Sequence, residues 1–314
     1  MAADIFFMNK KMTIFTFYNF FKMIIYNQKG GIIMNFKELK KKAADHIYSS
    51  LNYVSAEDMG DVIQNFFVVC DKGVFIISEE KKQYHVLWAC DDFSFVVENL
   101  KKFIDEYSDF QEEKRIFIEF VQPKDIVGLA KIGFKIVSEW MDYWIEDINK
   151  IDIQKERFSQ VFTISEDEYR TAAEVTLRCA GMSREYEGES YAFVREWAKT
   201  RNSKVLVYKQ DESICGVCFI SIYRSSSAKA NVLWVRELAV DPLYQGKGVA
   251  TVLLNKALEY GKNWGAYKSF LAVDRENFRA VRIYEKIGFH PKAGHGQINM
   301  AYNVLNRVLE KTDA

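Results

Sequence analysis

Val240-Asp241-Pro242-Leu243-Tyr244-Gln245-Gly246-Lys247-Gly248-Val249-Ala250 is the stretch from which the fold of this chain is read. Ahead of it, residues 232–240 are apolar enough for a buried strand. Behind it, apolar residues return at Val249, Val252, Leu253, Ala257 and Tyr260, which is helical spacing. Asp241-Pro242 ends the strand, so residues 245–250 form a glycine-bearing turn that opens a helix. Backbone N–H groups at such a turn, with the positive end of the helix dipole behind them, suit a phosphate. Gly246 and Gly248 carry no Cβ to block its approach. The same residues also fit a purely structural strand-to-helix turn.

The following residues add a second motif. The sequence resembles the GNAT superfamily of acetyl-CoA-dependent N-acetyltransferases. The family pattern Q/R-x-x-G-x-G/A stands here as Gln245, Gly248 and Ala250, after a strand ending Leu238-Ala239-Val240-Asp241-Pro242. An Asn followed by a helix ending Y-E-K-x-G-F stands as Asn277 and Tyr284-Glu285-Lys286-Ile287-Gly288-Phe289. The resemblance covers roughly residues 160–305. It implies an N-acetyltransferase that uses acetyl-CoA as cosubstrate and a primary amine of a small molecule or protein as acceptor. The alternative is a non-catalytic acetyl-CoA-binding regulatory module.

The resemblance also implies site residues. Gln245, Gly246, Lys247, Gly248, Val249 and Ala250 would hold the pyrophosphate. The backbone of Leu238, Ala239 and Val240 would pair with the pantetheine arm like an added strand. Asn277 would touch the cofactor arm, and it also suits an N-cap. Tyr284 matches the family's frequent general acid. A phenol of pKa about 10 is protonated at neutral pH and can donate to a departing thiolate; its other reading is a half-buried helix aromatic. An alkylamine is mostly protonated at neutral pH, so a base is needed. Glu237, just before the cofactor-binding backbone, is the first candidate. Its other reading is a strand carboxylate paired with Arg236 or facing solvent.

Composition narrows the classes. The 43 basic and 43 acidic residues cancel, so no basic excess argues for nucleic acid or an anionic membrane. No run of eighteen apolar residues calls for a spanning helix. Five cysteines, an odd number at irregular spacing, read as reduced thiols in a cytoplasm. In Cys215-Gly216-Val217-Cys218 the three-residue offset along a strand sends the two side chains to opposite faces. Without a second pair no zinc site is expected, and no metal is assigned.

The first half of the chain carries a weaker copy of the second. Lys131-Ile132-Gly133-Phe134 repeats Lys286-Ile287-Gly288-Phe289 at an offset of 155. The same offset brings a helical pattern at 95–107 onto 250–262 and a strand at 116–121 onto 271–276. It also places Cys90-Asp91-Asp92 on Gln245-Gly246-Lys247, where two carboxylates would repel a pyrophosphate. Leu129 stands for Tyr284 and Gln122 for Asn277. The expected fold is α/β (α+β): two tandem GNAT-like domains, each a mixed, mostly antiparallel twisted sheet flanked by helices; the alternative for the first is an unrelated α/β domain. Residues 34–150 form the degenerate copy and 151–314 the catalytic domain. The first domain also contributes a helix over 36–53. Residues 1–33 lack any clean period. Lys29-Gly30-Gly31 can be encoded by a translated ribosome-binding site ahead of Met34, so 1–33 read as a non-native extension.

Overall fold

The computed structural model describes residues 24–26, 32–54, 59–224 and 231–304. Most of the extension read at residues 1–33 lies outside the described residues. In chain order the first elements are β1 (Ile24–Tyr26), β2 (Ile32–Asn35), α1 (Phe36–Ala43), β3 (Tyr48–Ser49), β4 (Asp61–Cys70), β5 (Gly73–Glu79), β6 (Gln83–Cys90), α2 (Ser94–Glu106), β7 (Arg115–Val121), α3 (Ile126–Lys131) and β8 (Lys135–Ile145). They are followed by β9 (Val161–Thr163), α4 (Tyr169–Arg178), α5 (Tyr191–Lys199), β10 (Ser203–Gln210), β11 (Ser213–Arg224), β12 (Asn231–Val240), α6 (Val249–Asn263), β13 (Ala266–Asp274), α7 (Phe278–Ile287), β14 (His290–Pro291) and β15 (Gln297–Asn303). Among the described residues the chain makes two compact units. One is Trp140–Gly296; the other is 24–139 with 297–304.

In the N-terminal unit β4, β5 and β6 form an antiparallel meander, β7 lies parallel to β6, and β15 lies antiparallel to β7. The period of two along the strands sorts side chains to two faces. Phe75, Ile77, Tyr84, Val86 and Trp88 pack under α2, whose Val96, Leu100 and Phe103 recur at helical spacing. Val74, Ile76, Leu87 and Ala89 pack under Leu39 and Ala43 of α1. The helix expected over 36–53 stops at Ala43. Tyr48 and Ser49 instead pair with Cys90 and Ala89 as β3. The cause lies in β6, which has β7 as a partner only as far as Val86. Its remaining backbone groups need partners, and Ser50 supplies two: its N–H donates to the Trp88 carbonyl (2.8 Å), and its Oγ accepts the Trp88 N–H (2.9 Å).

The C-terminal unit has strand order β9-β10-β11-β12-β13-β8, antiparallel except for the parallel pair β12–β13. α6 covers one face, with Leu253, Ala257 and Leu258 over Cys218, Leu233 and Val235. α4 and α5 cover the other, with Ala172, Val194 and Trp197 against Phe219, Trp234 and Phe270. The Ser165–Glu168 capping box forms at the entry to α4. The sequence reading divides the chain at 150/151, whereas the packing divides it at 139/140 and 296/297. Residues 140–145 pair with β13, while 297–303, expected in the second domain, pair with β7 of the N-terminal unit. An alternating strand carries the same local signal whichever sheet accepts it.

The repeated tetrapeptide takes the same local geometry in both units, and the offset drawn from it needs one correction. The K-I-G-F tetrapeptide closes a helix in each. Gly133 and Gly288 adopt positive φ (93° and 112°), and the next N–H reaches back to the Leu129 carbonyl (3.1 Å) or the Tyr284 carbonyl (3.0 Å). This is a Schellman cap, which needs glycine, with the following phenylalanine buried. The gapless offset fails ahead of α2, however. Three residues join β6 to α2, where eight join β12 to α6. Asp91 and Asp92 therefore do not replace Gly246 and Lys247. Asp91 accepts the Ile47 N–H (2.7 Å), and Asp92 caps α2 by accepting the Ser94 N–H (3.0 Å).

A second correction concerns Cys215 and Cys218, which share one core face rather than opposite ones. Tyr208 pairs with Gly216 and Lys209 with Ile214, so Cys215 sits in a β-bulge that resets the alternation.

Candidate active site

β12 and β13 stay together only from Asn231–Ala266 to Trp234–Phe270. Beyond that point β12 keeps β11 alone, through Val240–Gly216. The register against β11 slips between Phe219–Glu237 and Ile220–Val235, so Arg236 is an extra residue on β12. Such a bulge bends and twists its strand, and here it accompanies the departure of β12 from β13. On the side left open, the Leu238 N–H goes to Glu237 Oε1 (2.9 Å) rather than to a strand, and the Val240 carbonyl accepts from Gln245 Nε2 (3.0 Å) and Cys179 Sγ (3.2 Å).

The open edge runs directly into the glycine turn. Gly246 and Gly248 both take the left-handed conformation (φ 74° and 79°), and Gly248 is the N-cap of α6. The first N–H groups of a helix have no acceptor within it, so this end presents donors in an exposed turn. A Cβ on Gly246 would meet nothing, whereas one on Gly248 would lie 2.8 Å from Arg157 Nη2. Arg157 donates from Nη1 to the Lys247 carbonyl (3.0 Å). The Lys247 ammonium lies over the Tyr244 ring (4.8 Å). Two cations thus border the turn. Sequence reasoning named Lys247 but missed Arg157, which is 90 residues earlier and carries no motif.

The candidate acid and base approach the same strand. Burial pushes the Glu237 carboxyl up to about 7, with Glu189 adding to the shift and Arg236, the Leu238 N–H and Tyr186 opposing it. Arg236 is shared: its Nη1 lies 2.7 Å from Glu189 and 3.6 Å from Glu237. Its guanidinium is held over the Phe193 ring (4.4 Å). Tyr284 on α7 is buried, and burial first, then the charge of Glu237 and of Cys218, raises its phenol above the ordinary tyrosine value. That phenol stays protonated at neutral pH. Asn277 accepts the Ala280 N–H (3.2 Å) and so caps α7. The loop between α4 and α5 adds Tyr186, whose buried hydroxyl bears on the Glu237 carboxyl, and Arg184, which grips Asp274 (3.0 Å) and Glu276 (2.8 Å). From sequence Arg184 reads only as one charge of a mixed-charge loop over residues 181–188, and Tyr186 carries no signal, because the loop has no period.

A strand that splays from its parallel neighbour into a glycine turn and a helix N-terminus defines the class as a GCN5-related acetyltransferase fold. The comparison with families agrees: residues 160–289 match the acetyltransferase (GNAT) family. A spermidine N(1)-acetyltransferase of Escherichia coli K12 is 44% identical over 54 residues, 17% of this chain and 29% of that protein. An uncharacterized N-acetyltransferase of Methanocaldococcus jannaschii is 40% identical over 68 residues, 22% of this chain and 30% of that protein. The chain thus spans under a third of the length of these relatives. The crystal structure of a GCN5-related N-acetyltransferase from Sphaerobacter thermophilus matches with TM-score 0.52 at 14% identity, covering 76% of this chain and 82% of that one. At that identity the likeness speaks for the fold. No helix among the described residues is long and apolar enough to cross a membrane.

Proposed function

We propose that the C-terminal unit transfers the acetyl group of acetyl-CoA to a primary amine. The observation that carries this is the open edge of β12 delivering straight into the Gln245–Ala250 turn. The turn's amides, Lys247 and Arg157 would hold the pyrophosphate, and Leu238–Val240 the pantetheine arm. Bound acetyl-CoA supplies a thioester whose carbonyl carbon accepts the amine. Alignment of the two reactants removes much of the entropic cost of a bimolecular step. Glu237 takes a proton from the amine nitrogen as the C–N bond forms. Tyr284 gives its proton to sulfur as the C–S bond breaks, leaving amide and thiol. A base poised near 7 suits the operating pH.

The N-terminal unit is, in this reading, a degenerate tandem copy with a structural role. Its supports are the same order of antiparallel and parallel strands, the shared Schellman cap, the short turn before α2, and β3 lying on the edge of β6 that corresponds to the open edge of β12. The five cysteines are free thiols, in keeping with a cytoplasmic location. The test is acetyl-CoA titration by calorimetry together with an amine panel monitored for released thiol. Transfer to an amine supports the proposal. Cofactor binding with no transfer to any amine would replace it with a regulatory binding module.

A further inference from the structure

Trp234, Phe270 and Trp144 are successive cross-strand partners and form one row on the α4–α5 face of the C-terminal unit. The Trp144 and Phe270 rings stand 4.8 Å apart at 37°. Two residues further along β13 and β8, towards the end of β13 that β12 has left, come the partners Ala272 and Asp142. On a strand, residues two apart share a face, so Asp142 adjoins the aromatic row beside a small side chain.

Four buried polar atoms here lack a hydrogen-bond partner: Asp142 Oδ1, the indole nitrogens of Trp144 and Trp234, and the Tyr223 hydroxyl. Buried polar groups are nearly always paired, and these four are a third of the twelve such atoms among the described residues. Asp142 is 8% exposed. Burial raises its carboxyl to about 6, with Lys292 opposing, so it is largely ionised at neutral pH. The charged or titratable groups bearing on it are Lys292 and Tyr223. Lys292 offsets this anion only in part, since the carboxyl remains raised; a further cation would stabilise it, and aromatic faces favour a cation.

We infer that Asp142, two residues along the same strand face from the Trp144–Phe270 pair, binds a second, non-reacting ammonium group of the acceptor, so that the substrate class is a diamine or polyamine. The inference rests on the transferase reading above. The group held here is not the reacting nitrogen, because a neighbouring carboxylate favours the protonated, unreactive form of an amine. The reacting nitrogen has to reach Glu237, three residues beyond Trp234 on the open part of β12. Asp142 lies ahead of residues 160–289 and reaches this face only because β8 joins the sheet beside β13.

The experiment titrates 1,4-diaminobutane and n-butylamine into the full chain saturated with coenzyme A, and measures kcat/KM for both amines. The wild type should favour the diamine in both binding and kcat/KM. Asp142→Asn should weaken diamine binding by about 30–100-fold, as expected for removing one partner of a buried charge pair, and should erase the preference over butylamine. Asp142→Glu, which keeps the charge, should recover part of it. Coenzyme A affinity reports folding and the transferase reading separately. Absence of coenzyme A binding in wild type would refute that reading; the amine titrations are then made on the chain alone and still judge Asp142. Equal wild-type affinity for the two amines, or an undiminished preference in Asp142→Asn with coenzyme A affinity intact, overturns the inference. Should Asp142→Asn fail to bind coenzyme A, the wild-type preference and the Asp142→Glu result decide.

Discussion

Replacing Glu237 by Gln separates its catalytic and structural effects. Folding lifts this carboxyl from an ordinary 4.5 to about 7. The folded state therefore binds more protons than the unfolded state between these values, and its stability falls as pH rises through that window. The shift of about two and a half pKa units corresponds to roughly 3 kcal/mol of destabilisation, fully present above pH 7 and absent below about 4.5. Glutamine is nearly isosteric, cannot ionise, and leaves Arg236 with Glu189 at 2.7 Å. The variant should thus match the wild type in stability near pH 4.5 and exceed it by up to about 3 kcal/mol at pH 8. Its activity should move the other way. Loss of an acid–base group costs on the order of 10²–10⁴ in rate. The wild-type limb of kcat/KM rising with apparent pKa near 7 should vanish, leaving the later rise that belongs to the amine itself. Chemical denaturation at several pH values and a pH–rate profile make the two measurements. An unchanged limb near pH 7, or turnover within threefold of wild type, would remove Glu237 from the chemistry. A stability difference that does not grow with pH would show that the carboxyl is not held neutral.

Tyr284→Phe keeps the ring against Phe289 and should lower turnover on the order of 10²-fold while acetyl-CoA affinity moves by less than about 1 kcal/mol; equal losses in both would make Tyr284 a binding residue. Gly248→Asp should abolish acetyl-CoA binding by calorimetry, since its Cβ meets Arg157 Nη2 at 2.8 Å, a left-handed φ costs a non-glycine residue about 1–2 kcal/mol, and its carboxylate would occupy the phosphate position; unchanged affinity would refute the turn's role. Arg157→Ala should weaken acetyl-CoA binding with a smaller salt dependence than wild type, and an identical salt dependence would take Arg157 out of the phosphate site. Deleting 297–314 removes β15 and with it buried Ile298, Met300 and Tyr302. At about 1.5–3 kcal/mol per buried side chain, hydrogen exchange should show β6 and β7 unprotected, and retained protection would mean that the N-terminal unit does not depend on β15.

The sequence alone determined what is local. The turn at Gln245–Ala250, the cap at Asn277, and the alternation of helices and strands all follow from spacing and from residues with one dominant conformational use. The repeated K-I-G-F tetrapeptide was legible for the same reason, since Gly133 and Gly288 serve one cap geometry. Only the tertiary structure decided which strands share a sheet. β8 and β15 carry alternating patterns that any open edge could accept, and pairing chose between them at separations of more than a hundred residues. The bulges at Cys215 and Arg236 were equally hidden, because one extra residue leaves no mark on composition yet reverses which side chains meet. Arg157, Tyr186 and Asp142 were missed on this account. Each lies far along the chain from the residues it serves, and burial and neighbours, which fix its charge state and partners, exist only once the strands have come together.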